Sequence, residues 1–152
     1  MALIGAASLA ERSPALVLIN ESDSLPRGLY VRHFGAEPVR GSVVATPQPG
    51  HVRRYLSRLG MPADVLLIKR VAATAGDMVC RREDMLVTPG REVRVHDRDR
   101  RGQELPSWTG CGRLGPQELF VLGDTPTSFD SRYFGPIRGL QTAGVYKAAL
   151  TW

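Results

Sequence analysis

The chain has 152 residues, an ordinary single-domain length that can bury a core without a metal or several disulfides. Its formal charge of +5 is spread over arginines mixed with acids, as in Arg94 to Arg101. It shows no alternation of basic and aromatic residues and no zinc-finger or helix-turn-helix pattern, so nucleic acid is set aside as a partner.

Residues 1–14 are apolar, too few to span a bilayer, and lack the basic start of a signal peptide; they could be the end of a membrane anchor. Ala15–Ile19 reads as a first strand. In the stretch that follows, Asn20 to Tyr30, an extended backbone would put Ser22 and Ser24 on one face and Asp23 on the other. Pro26 disfavours a helix at Leu25, and Gly28 adds backbone freedom, so a strand end leading into a turn is expected, with a plain polar loop as the alternative. Gly28–Phe34 and Ser42–Thr46 read as further strands, divided by a turn at Glu37–Gly41.

From His51 to Leu59, Val52, Tyr55, Leu56 and Leu59 recur at helical spacing, and Gly60-Met61-Pro62 stops the pattern. Asp64–Ala73 is an almost wholly apolar strand that contains Lys69 and Arg70. A lysine held there away from water has its pKa lowered and becomes a usable general base, whereas one that snorkels to solvent does not. Short strands follow between Met78 and His96. Arg98–Pro106 reads as an exposed loop, and residues 78–115 as a small β-rich lobe inserted in a domain of residues 15–152. Cys80 and Cys111 fit no metal or thioredoxin spacing; a disulfide and two unrelated buried thiols both remain open.

Glu118–Leu122 resumes strand character, a polar block runs to Pro136, and Gly144–Leu150 is the last strand. Within that block Asp130 and Arg132 would share a face on an extended backbone and bridge as carboxylate and guanidinium, while Asp77 and Asp124, each beside a glycine, read as turn residues. His33, His51 and His96 lack partners, and neither a metal nor another cofactor is suggested.

Together, Ser22-Asp23-Ser24, Lys69-Arg70-Val71 with Gly76-Asp77, and Gly123-Asp124 through Gly135 resemble the nucleophile, lysine and closing boxes of the type I signal peptidases. Leu25-Pro26 directly after the second serine is similar to the TraF-like peptidases of conjugative transfer. The resemblance implies a mainly β fold of antiparallel sheets with one short helix. It makes Ser24 the nucleophile and Lys69 its base, Ser128 an orienting group, and Ser22 with the Ser24 backbone N–H the oxyanion donors. Asp130 and Arg132 become support for the closing loop. It further implies an extended peptide such as a pilin precursor as substrate, cyclisation as one outcome, and a site at the periplasmic, outer face of the inner membrane. In that compartment a Cys80–Cys111 disulfide is expected.

Other readings are a housekeeping signal peptidase, a self-cleaving LexA-type repressor and a non-catalytic peptide-binding module of pilus assembly. The repressor would need a DNA-binding domain and a scissile Ala-Gly or Cys-Gly bond ahead of the nucleophile, neither of which is evident. The joint presence of Ser24 and Lys69 argues against the binding module, and predicts that Lys69 Nζ lies within hydrogen-bond reach of Ser24 Oγ.

Overall fold

The computed structural model describes residues 13–152, so the apolar segment 1–14 lies almost wholly outside the described residues. Strands β1 (Val17–Asn20), β2 (Gly28–Arg32), β3 (Val43–Thr46) and β4 (Leu67–Ala73) open the chain, with helix α1 (Arg53–Arg58) before β4. Strands β5 (Met78–Arg82), β6 (Met85–Thr88), β7 (Arg91–Arg94) and β8 (Cys111–Arg113) follow. The last part holds β9 (Glu118–Leu122), the single-turn helix α2 (Ser131–Phe134), β10 (Ile137–Arg138) and β11 (Gly144–Thr151). The fold is mainly antiparallel β, as expected.

One sheet has seven strands in the order β1-β2-β11-β3-β4-β9-β10, and the other has four in the order β7-β6-β5-β8. The continuous apolar runs of β3 and β4 have a physical reason: both strands lie in the middle of the larger sheet and are covered on both faces. Val44, Leu67 and Val71 pack with Leu56 and Val121, while Val43, Ala45 and Ile68 pack on the opposite face with Leu25, Tyr30 and Tyr146. Full burial of one such side chain contributes roughly 1.5–3 kcal/mol.

The expected helix over His51–Leu59 begins as a tight 3-10 turn at Gly50–Val52 and continues as α1, whose Tyr55 and Leu56 are buried. Gly60, at φ +80°, ends it in the left-handed conformation, with its N–H on the Ser57 carbonyl at 3.0 Å. In the smaller sheet Cys80 stands opposite Cys111 and the two are joined by a disulfide. Strand β8 falls inside a stretch whose sequence reads as irregular, because its three residues Cys-Gly-Arg are exposed and carry no apolar pattern.

Candidate active site

The Ser22–Ser24 stretch is built around Asn20, the last residue of β1. Its side chain is 5% exposed, and its Oδ1 accepts the Ser22 N–H at 3.2 Å and the Ser22 hydroxyl at 2.8 Å. Its Nδ2 donates to the carbonyls of Leu25 at 3.0 Å and of Ser22 and Pro26 at 3.2 Å. Residues 22–25 therefore form a turn wrapped around one buried amide. Of the two readings the sequence left open here, the turn holds and the extended geometry for Ser22 and Ser24 does not. Their hydroxyls do meet, 2.8 Å apart, but a turn brings them together and not strand alternation. Ser22 has a single proton and directs it to Asn20, so Ser24 is the donor in this pair.

Strand alternation decides the fate of the Lys69-Arg70 pair. Lys69 shares a face with Leu67 and Val71 and is 5% exposed, whereas Arg70 points the other way and is half-buried. Arg70 reaches Asp124 through two hydrogen bonds of 2.9 Å. Burial of the Lys69 ammonium lowers its pKa to about 8; the Asp130 carboxylate opposes this fall and the Arg132 guanidinium adds to it. Among the described residues no hydrogen bond joins Lys69 to Ser24 or Ser128. The expected direct contact between Lys69 Nζ and Ser24 Oγ is therefore absent in this resting arrangement, where Ser24 is hydrogen-bonded to Ser22 instead.

Strand β9 ends at Leu122, opposite Arg70, and so delivers residues 123–128 beside Lys69. The Asp124 N–H donates to the Ser24 carbonyl, which ties the closing segment to the nucleophile turn. Asp130 and Arg132 do bridge, although not on an extended backbone: Asp130 is the N-cap of α2 and accepts the Arg132 N–H at 3.1 Å. The guanidinium bonds both Asp130 oxygens at 2.8 and 2.7 Å and donates to the Thr125 and Pro126 carbonyls at 3.0 Å. Asp130 in turn accepts the Gly123 N–H at 2.8 Å. This fully buried pair holds both ends of residues 123–130.

A cavity of about 590 Å³ gathers Ser22, Ser24, Lys69, Thr125 and Ser128 among the apolar side chains of Ile19, Leu56, Leu67 and Phe129. The hydroxyls of Ser128 and Thr125 are buried there without a hydrogen-bond partner, so both can bond an amine or a peptide group that enters. An apolar cavity with a hydroxyl and an amine of lowered pKa suits nucleophilic attack on a carbonyl.

The family description "Signal peptidase, peptidase S26" matches residues 4–152. The chain belongs to the signal peptidase family. Two plasmid transfer proteins TraF of Escherichia coli are each 33% identical to it, over 99% and 88% of this chain and 89% and 82% of theirs. A crystal structure of a signal peptidase I from Enterococcus faecalis is 26% identical and matches with a TM-score of 0.46, covering 72% of this chain and 97% of that one.

The resemblance read from the three boxes is thus borne out: this is a serine peptidase family member of the TraF-like kind. Other features of this signal peptidase homologue were not legible as functional. Asn20 lay in a stretch read as a polar turn, although Asn followed two residues later by Ser is an Asx-turn signal. Asp124 is more than a turn residue, since Arg70 holds its pKa down by hydrogen bonding. Thr125 carried no signal in the sequence.

Proposed function

We propose that the chain is an endopeptidase with Ser24 as nucleophile and Lys69 as general base, and that it processes an extended, pilin-like precursor at small residues. The observation that carries this reading is the buried Lys69 amine facing the same cavity as the Ser24 hydroxyl. A lysine with its pKa near 8 is neutral in roughly one molecule in ten at pH 7, against about one in a few thousand for a free lysine.

In the reaction the Ser24 hydroxyl turns from Ser22 to Lys69, gives up its proton to Nζ, and Oγ attacks the scissile carbonyl. The tetrahedral oxyanion is met by the Ser24 backbone N–H and by the Ser22 hydroxyl once it is released from Asn20. Lys69 then returns the proton to the leaving amine, and an acyl-enzyme ester remains on Ser24. Water resolves the ester to an acid, and a substrate amine resolves it to a new peptide bond. The Ser128 hydroxyl accepts from the ammonium and keeps it aimed at Ser24. Work at the outer face of the inner membrane is supported by the Cys80–Cys111 disulfide, which persists in an oxidising compartment.

The test incubates a purified pilin precursor with the parent chain, Ser24→Ala and Lys69→Ala, and follows product masses. Processing by the parent alone is expected, and a product lighter by one water than the hydrolysis product marks cyclisation. Full processing by either variant removes the dyad.

A further inference from the structure

Thr127, Ser128 and Phe129 also line a second cavity, of about 440 Å³, which Lys69 does not line. Its floor is apolar, built by Leu59, Leu105 and Phe129, and its rim carries Arg98, Arg100 and Arg101. Ser128 and its two neighbours line both cavities, so an extended chain that passes over residues 127–129 enters each in turn.

The rim charges are not equivalent. Arg98 is engaged by Glu104 at 3.4 Å and by the Gly102 carbonyl at 2.8 Å. Arg100 has only a long contact of 3.4 Å to the Thr127 hydroxyl, and the Arg101 guanidinium makes no hydrogen bond among the described residues. Asp99 is the one carboxylate that lines the cavity, and both its oxygens are occupied. Oδ1 accepts the N–H groups of Arg101 at 2.8 Å and Gln103 at 3.0 Å, and Oδ2 accepts the Tyr55 hydroxyl at 2.9 Å. Two guanidinium groups therefore line the same cavity as these apolar side chains, with no salt bridge to a carboxylate among the described residues.

We propose that this cavity is a second peptide subsite, which takes an acidic side chain of the substrate on Arg100 and Arg101 and rests an adjacent apolar residue on Leu59, Leu105 and Phe129. The charge complement is a carboxylate, for which arginine offers a planar pair of donors, and the floor complements an aliphatic neighbour. The Arg100 contact to Thr127 places the charge beside the wall shared with the catalytic cavity, so the acidic residue lies within a few positions of the bond cut. The occupant is substrate only if the chain is the peptidase proposed above, and for that reason binding and cleavage are measured separately.

The experiment uses the full chain carrying Ser24→Ala, which binds without turnover. The probes are twelve-residue peptides of alanine and serine with a neutral fluorophore, each carrying one Leu-Glu or Leu-Gln pair moved along the sequence. At one register the Glu peptide is expected to bind roughly tenfold more tightly than its Gln counterpart, the size of a charge-assisted contact. That preference should fall to within about twofold in Arg100→Gln/Arg101→Gln and weaken with added salt, while Arg82→Gln/Arg138→Gln, which removes the same charge elsewhere, retains it. All these arginines are exposed, and circular dichroism confirms that each variant is folded. Equal binding of Glu and Gln peptides at every register overturns the proposal, as does a preference that survives loss of Arg100 and Arg101. Charge-pair-dependent binding to phosphatidylglycerol vesicles without a peptide preference overturns it in favour of lipid. Cleavage of the same peptides by the parent chain reports on the dyad alone.

Discussion

The Ser24 hydroxyl donates to the Ser22 hydroxyl across 2.8 Å, and Ser22 passes its own proton to Asn20 Oδ1 at the same distance. The proposed nucleophile is thus held at rest by a relay that ends on a buried amide, and the same amide closes the turn through the Leu25 and Pro26 carbonyls. Asn20→Ala leaves the buried Leu25 carbonyl without a partner and hands the part-buried Ser22 and Pro26 groups to water, at a cost of about 2–3 kcal/mol. For a chain of this length that lowers the melting temperature by roughly 5–10 °C. The rate kcat should fall more than KM rises, because the turn that aims Ser24 is lost while the walls of the cavity stay. Thermal unfolding and steady-state kinetics of Asn20→Ala check this, and a variant with parental stability and rate would show that the relay is idle.

Lys69 links pH to both rate and stability. Its folded pKa of about 8 lies below its ordinary 10.5, so the folded state holds the protonated amine less well than the unfolded state does. The resulting penalty is fully present below pH 8, and stability contributed by this group recovers as pH rises from 8 to 10.5. Lys69→Met should accordingly abolish cleavage and yet unfold at higher temperature than the parent at pH 7, by a free energy on the order of 3 kcal/mol, with the gain shrinking above pH 8. In the parent, kcat/KM should rise with pH through a single step near 8 as the amine loses its proton. Denaturant titrations at pH 7 and pH 10 and a pH–rate profile read the two effects separately.

What the sequence makes legible here is the covalent inventory and its order along the chain. Alternation alone leaves open which of the two adjacent basic residues is buried, because the run is apolar on both faces; in the structure Lys69 shares a face of β4 with Leu67 and Val71 and Arg70 does not. The turn chemistry is not legible, because the Ser22–Ser24 and Asp130–Arg132 pairs fit an extended i,i+2 spacing as well, and both are made by side chains capping backbone N–H groups. Asn20 does so at the end of β1 and Asp130 at the start of α2. Contacts between segments far apart in the chain, such as Arg70 with Asp124 or Asp124 with the Ser24 carbonyl, depend on the register between β4 and β9, which composition does not encode.

The buried Asp130–Arg132 pair tunes Lys69 as well as bracing the loop. Asp130 raises the lysine pKa and Arg132 lowers it, so Asp130→Asn should move the kcat/KM step to lower pH and Arg132→Gln to higher pH. Each single variant leaves one buried charge unpaired and should lose about 3–5 kcal/mol of stability. The double variant Asp130→Asn/Arg132→Met removes both charges and should lose less than the two singles combined. A pH–rate step that stays in place in both singles, measured at a temperature where each is folded, would reduce the pair to a structural brace.

There is no room for a side chain at Gly123 between Ser128 and the Ser24 carbonyl. A Cβ there would sit 2.0 Å from Ser128 Oγ, 2.4 Å from Ser128 Cβ and 2.9 Å from the Ser24 carbonyl oxygen. Rotating the Ser128 hydroxyl away cannot relieve the clash, since its Cβ is itself too near, so Gly123→Ala must push the closing segment off the nucleophile turn. Overpacking of this kind costs about 1–3 kcal/mol. Displacing the closing segment from the proposed Ser24–Lys69 dyad by even ~1 Å should lower kcat by about 100-fold. Gly112→Ala, where nothing lies within 4 Å, serves as the neutral control. Adding Ser128→Gly to Gly123→Ala removes the two closest clashes, leaves the Ser24 carbonyl at 2.9 Å, and should restore part of the melting temperature without restoring kcat, because the hydroxyl proposed to orient the lysine is then gone. Recovery of both by the double variant would mean that Ser128 only fills space.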